Sequence, residues 1–183
     1  MYSACLEQWR KDMKKSLLAI PIALAFVLGF VASRLPTQTA AASPPSPPSA
    51  GWTLHIDAQK HFGSAHATQI AHHWCKGGLT GGILECQIYD SDAPNARLVE
   101  VETIVPTKVW QSFPKSEQAL WHYHKVEIPL VHATLPGMPV AQQQKVVASL
   151  METYGKIWLL WDPLTTARGY PTGRPSIVIL PAH

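Results

Sequence analysis

Apolar and polar positions alternate most cleanly at residues 83–89, ILECQIY, and again at 97–105, RLVEVETIV. A period of two marks a strand with one buried face. The turn-forming DSDAPNA between the two runs joins them as an antiparallel hairpin. Two continuous apolar runs, KIWLLW at 156–161 and SIVIL at 176–180, read as further strands, the second following the Gly/Pro-rich turn GYPTGRP. Elsewhere the period lengthens. Residues 140–154 set Val140, Val147, Leu150, Met151 and Tyr154 on one helical face, with Gly155 where a helix stops. KVWQSF and PKSEQALW, residues 108–121, also read as helical, with Pro114 at a first helical position. Residues 64–75, SAHATQIAHHWC, read as a helix carrying Ile70 and Trp74 on one side, broken by GGLTGG at 77–82. Strands and helices are mixed without regular alternation. The pattern predicts an α+β fold: a single domain with an antiparallel or mixed sheet and two to three helices.

The first fifty residues are built differently. A basic leader, residues 1–15, precedes an uncharged apolar run at 16–33 that is interrupted by Pro21. That length falls between the apolar region of a signal peptide and the roughly 20 residues of a spanning helix. Arg10, Lys11, Lys14 and Lys15 favour a cytoplasmic side for the end that carries them. Small residues at 31–33 and 40–42 offer cleavage sites, and Cys5 precedes the apolar run, which excludes a lipoprotein. We read 16–33 as a signal peptide or membrane anchor, so the chain is expected to be exported, periplasmic or in the cell envelope. Residues 34–51, rich in Pro, Ala and Ser, form an extended linker. The folded domain then occupies residues 52–183.

Charge narrows the partners. The chain has 15 basic and 12 acidic residues, a net charge of +3. Arg10, Lys11, Lys14, Lys15 and Arg34 against Glu7 and Asp12 account for that excess, and residues 51–183 balance to zero. A neutral domain lacks the positive surface that phosphate backbones demand, so nucleic acid is not an expected partner. A small ligand or a lipid is compatible with the composition, and oligomeric state is not legible.

All nine histidines lie in the domain, and two short segments concentrate them. HHWC gives His72, His73 and Cys75; HYHKVE gives His122, His124 and Glu127. Imidazole, thiolate and carboxylate are ligands for zinc or another divalent transition metal, and separate elements commonly contribute them. On a strand His122 and His124 share a face but Glu127 does not; on a helix His124 and Glu127 share one but His122 does not. A change of backbone conformation within the segment is needed to gather all three. The spacing resembles that of cupin metal sites with one residue fewer before the glutamate. Hydrogen-bonded structural roles are the alternative.

Other chemistry is weaker. None of the serines sits in a nucleophile elbow, and Cys75 beside His73 is not by itself a catalytic pair. DSDAPN lacks the glycine and terminal glutamate of a calcium loop and reads as a turn. Cys75 and Cys86 are suited to a disulfide in an oxidising compartment, while a free thiol and a metal ligand remain open for Cys75. Trp121, Tyr123 and Trp158, with His124, are candidates to line a pocket; Trp110, Trp121, Trp158 and Trp161 also suit a core.

AHHWC, ECQIYDSDAPNARLVEVE, LWHYHKVEI, TYGKIW and PTGRP follow one another in this order across roughly residues 70–175. In this the chain resembles the oil body-associated protein family. The resemblance implies a domain of unknown function, with plant members on seed lipid droplets, and no catalytic mechanism to transfer. It implies that HHWC and HYHKVE belong to one architecture, and the leader suggests an exported, bacterial-type relative. Three functions compete: a non-enzymatic domain at a lipid surface, a metal-binding protein or metal-dependent enzyme using the His/Glu cluster, and a metal-free small-molecule binder.

Overall fold

Alternating side chains on β-strands decide this architecture, because they sort residues onto two faces of one sheet. A computed structural model of the chain describes residues 48–60 and 69–180. The leader, the 16–33 segment and the linker up to residue 47 lie outside the described residues. Among those described, seven strands form one sheet: β1 (Leu54–Gln59), β2 (Ile70–Leu79), β3 (Ile83–Tyr89), β4 (Leu98–Pro106), β5 (His122–Tyr123), β6 (Thr153–Leu159) and β7 (Ser176–Val178). Their order is β1-β2-β3-β4-β6-β5, with β7 also beside β6. Every pairing is antiparallel, so the mixed alternative falls away. Four helices, α1 (Thr107–Gln111), α2 (Lys115–Gln118), α3 (His124–Glu127) and α4 (Val140–Leu150), interrupt the path from β4 to β6. The fold is α+β but sheet-rich, with one helix more than expected.

Register places Leu54, Cys75, Cys86, Glu102 and Ile157 in one row across the sheet, and Ile56, His73, Ile88 and Glu100 in the next. These rows form the inner face. Leu135 and Met138, with Val146 and Leu150 of α4, close over it to make the main core. Cys75 and Cys86 are direct cross-strand partners and form a disulfide with Cα atoms 4.0 Å apart. Closing so short a loop contributes about 2–3 kcal/mol on the chain-entropy model. It also removes Cys75 as a metal ligand.

Several expectations are corrected. The helix expected at 64–75 is strand β2 from Ile70 onward, while 64–68 lie outside the described residues. Ala71, His73 and Cys75 point to the inner face, and the polar His73 among them hides the period of two. Within GGLTGG the strand runs on to Leu79, and Gly81 and Gly82 make the turn with φ of 83° and 72°, open to glycine at no steric cost. The helix expected at 140–154 ends at Leu150, because Thr153 and Tyr154 pair with Pro106 and Val105. Gly155 therefore stops no helix; it lies inside β6. The strands expected at 83–89 and 97–105 are β3 and β4, paired as a hairpin. β1 carried no assignment from sequence.

Candidate metal centre

The HYHKVE segment gathers its ligands by changing conformation midway. β5 is two residues long, and His122 pairs with Gly155 on its inner side while Tyr123 faces out. The chain then turns at once into α3, whose first residue is His124. That turn carries His124 back to the side of His122, and Glu127 follows three residues on, one helical turn away. Neither a continuous strand nor a continuous helix achieves this.

Glu102 completes the group from the middle of β4. Its Oε1 lies 3.1 Å from His122 Nε2 and 3.1 Å from His124 Nε2. Glu127 Oε2 lies 2.8 Å from His122 Nε2 and 3.8 Å from His124 Nε2. The Glu102, His122 and His124 side chains are each no more than 6% exposed. Zinc bonds of about 2.0–2.1 Å imply ligand-to-ligand edges of roughly 3.3 Å in a tetrahedron, and the contacts here scatter about that length. Gly155 leaves the centre open. A Cβ at that position sits 2.6 Å from both Nε2 atoms and clashes outright with Glu102 Oε1. The three donor atoms thus surround a point that no protein atom fills.

Counting protons sharpens the picture. Thr153 Oγ1 donates to Leu150 O at 2.6 Å, so it accepts from His124 Nδ1 at 2.8 Å. His124 Nδ1 therefore carries the hydrogen, and Nε2 of the neutral ring presents a lone pair. That lone pair faces a carboxylate oxygen, which is repulsive unless a proton or a cation lies between. Among the described residues His122 Nδ1 has no hydrogen-bond partner, and its Nε2 lies 3.1 Å from Glu102 Oε1 and 2.8 Å from Glu127 Oε2. Without a metal the charges must balance by protonation. Burial opposes a charged His122, yet Glu102 and Glu127 raise its pKa to about 10. Burial likewise opposes ionised Glu102, but hydrogen bonds and charge from the two histidines hold its carboxyl well below the usual range. A divalent ion satisfies the same carboxylates with neutral imidazoles, and Thr153 supplies the outer hydrogen bond that fixes a ligating ring.

His124, Glu102 and Glu127 face a cavity of about 70 Å³, lined otherwise mainly by apolar side chains such as Ile56, Ile104 and Leu150. Ligand pockets of about 300–1,000 Å³ are much larger; this one suits a molecule of few atoms. Its far wall carries His73 and the buried Lys60–Glu100 pair at 3.0 Å. Burial pushes the Glu100 carboxyl up, against the opposing charge of Lys60. His73 donates from Nδ1 to the carbonyls of Ala71 and Ile56 at 3.0 and 3.2 Å.

The expected site residues are therefore divided. His122, His124 and Glu127 come together, His73 lines the same cavity, and His72 points to the opposite face of the sheet. Trp121, Tyr123 and Trp158 do not line the cavity that His124 faces. Trp121 and Trp158 flank Lys156 with ring centroids 5.8 and 5.3 Å from its Nζ, and Tyr123 stacks on Tyr154 at 4.7 Å. Glu102 went unnoticed in the sequence because alternation in RLVEVETIV suggests that its glutamates face water. The clue was Ile104, which shares their face and needs a core.

A model of the family described as "Protein of unknown function (DUF1264)" matches residues 47–182. The chain is 37% identical over 113 residues to oil body-associated protein 2B of Zea mays, covering 62% of this chain and 45% of that protein. It is 32% identical over 126 residues to oil body-associated protein 1B of Arabidopsis thaliana, covering 68% and 52%. The chain thus spans about half the length of these curated relatives. No solved structure matches it.

The open point beside Gly155 makes Gly155→Ala the sharpest perturbation. The added methyl group lowers stability by about 1–3 kcal/mol in urea unfolding. A variant as stable as the wild type contradicts the crowding of three donor atoms at this point.

Proposed function

We propose, for a chain that belongs to the oil body-associated protein family (DUF1264), that its domain binds a divalent transition metal through Glu102, His122 and His124, with Glu127 beside them. One observation carries the reading. The hydroxyl of Thr153 commits the proton of His124 to Nδ1 and leaves Nε2 aimed, with His122 Nε2 and Glu102 Oε1, at the space beside Gly155. The donor set of two imidazoles and carboxylates suits zinc and its neighbours better than calcium or magnesium, which take oxygen ligands. When bound, such an ion acts as a Lewis acid on what reaches it. The residues around it limit that access. Apolar walls exclude bulk water, the cavity's size admits only a small molecule or part of one, and Glu127 holds a carboxylate at the rim.

Metal content of the full chain, purified without a tag and loaded with zinc, tests this reading. The wild type retains at least one equivalent after desalting, and Glu102→Gln lowers the content by one. Thr153→Val weakens zinc binding about 10–100-fold, while Thr153→Ser stays near wild type. A wild-type content below about a tenth of an equivalent sinks the proposal.

A second reading comes from the relatives' name, which ties them to oil bodies. On it, this chain is a non-enzymatic protein held at a membrane or lipid surface by residues 16–33, exported so that Cys75 and Cys86 oxidise. Among the described residues no helix is long and apolar enough to cross a membrane. On this reading attachment runs through residues 16–33. Full-length protein is expected to float with liposomes while a variant lacking residues 16–33 stays at the bottom of the gradient. Equal flotation of both contradicts anchoring by that segment.

A further inference from the structure

The outer face of the sheet carries a second set of ligating side chains. His55 and Asp57 are two residues apart on β1 and share that face. Asp57 pairs with His72 of β2, and Asp92 reaches over from the loop between β3 and β4. His55 Nε2 lies 3.0 Å from Asp57 Oδ1 and 3.1 Å from Asp92 Oδ1. His72 Nδ1 lies 2.8 Å from Asp57 Oδ1 and 3.0 Å from Asp92 Oδ2. One atom from each of the four residues falls within 4.8 Å of all the others. We propose that His55, Asp57, His72 and Asp92 form a second metal site, for a divalent first-row transition ion, independent of the buried centre.

The proton count favours this over a plain ion-pair ring. Four nitrogen-to-carboxylate contacts close the ring, yet the two participating nitrogens carry at most two protons. Each nitrogen touches both carboxylates at similar distance, as ligands do along the edges of a coordination tetrahedron. Those edges are roughly 3.3 Å for zinc–ligand bonds of about 2.0–2.1 Å. Two imidazoles and two carboxylates match zinc or cobalt better than the all-oxygen preference of calcium or magnesium.

The surroundings hold the donors in place. The His55 ring stacks on Trp74 with centroids 4.4 Å apart and planes 5° from parallel. Trp74 Nε1 donates to Asp92 Oδ1 at 3.3 Å, a bond that steers the carboxylate towards the histidines. Asp90 pins the base of the loop through Arg97, accepting from its backbone N–H at 2.8 Å and from its Nε at 2.7 Å. Entry is open. The Asp92 side chain is 38% exposed, against 12% for His55, and it borders a cavity of about 350 Å³ that Trp52, Trp74 and Tyr89 also line. The DSDAPN loop is thus no calcium loop, but it does supply one ligand to a site the sheet builds.

The test is zinc titration by calorimetry on the full-length, tag-free, metal-stripped chain. The wild type binds two equivalents. Asp92→Asn and His72→Asn each lose one and keep the other, whereas Glu102→Gln loses only the buried equivalent. Wild-type stoichiometry in both Asp92→Asn and His72→Asn overturns the proposal, and so does a Glu102→Gln protein that folds and binds no zinc. If Glu102→Gln does not fold, the imidazole ¹⁵N resonances of His55 and His72 in the wild type replace it. Zinc shifts them if the site exists; unmoved resonances at saturating zinc overturn it. Loss of the buried equivalent alone leaves this site standing, so the two proposals fail separately.

Discussion

Two imidazoles and two carboxylates packed beneath a sheet impose the strongest constraint on this molecule. Removing a charge from water costs on the order of several kcal/mol even after relaxation, and attraction between partners repays this only when geometry satisfies every group. On the proposed reading, a cation at the centre satisfies these groups better than they satisfy one another. Thr153 is the small residue on which this turns. Its hydroxyl gives its proton to Leu150 and so dictates which nitrogen of His124 is bare when the ring is neutral. Gly155, two residues later on the same strand, supplies the space in which the bare nitrogen is useful.

The sheet separates two chemistries. Because successive residues of β2 face opposite sides, adjacent His72 and His73 belong to different places: one to an open ring with His55, Asp57 and Asp92, the other to the wall of the inner cavity. The Cys75–Cys86 bridge lies in the same inner row as Glu102 and crosslinks the neighbouring strands.

Sequence alone revealed β3 and β4 by their period of two, and β6 and β7 as continuous apolar runs. It misled where a buried position is polar. His73 made β2 look helical, and Glu100 and Glu102 made the inner face of β4 look wet. Gly155 read as a helix terminator because glycine serves that role so often; its use here, making room among three donor atoms, depends on strand register that only the fold supplies. His122, His124 and Glu127 were legible as ligand types, and the need for a break in regular structure between them was legible too. Their partner Glu102, and the outer set of His55, Asp57 and Asp92, were not, since cross-strand neighbours leave no mark in local spacing.

Anomalous diffraction from crystals of the zinc-loaded chain, recorded on both sides of the zinc absorption edge, addresses the central claim directly. The account requires a zinc peak beside the Cα of Gly155, about 2.0–2.2 Å from donor atoms of Glu102, His122 and His124. Clear density for those three side chains with no anomalous signal among them contradicts it.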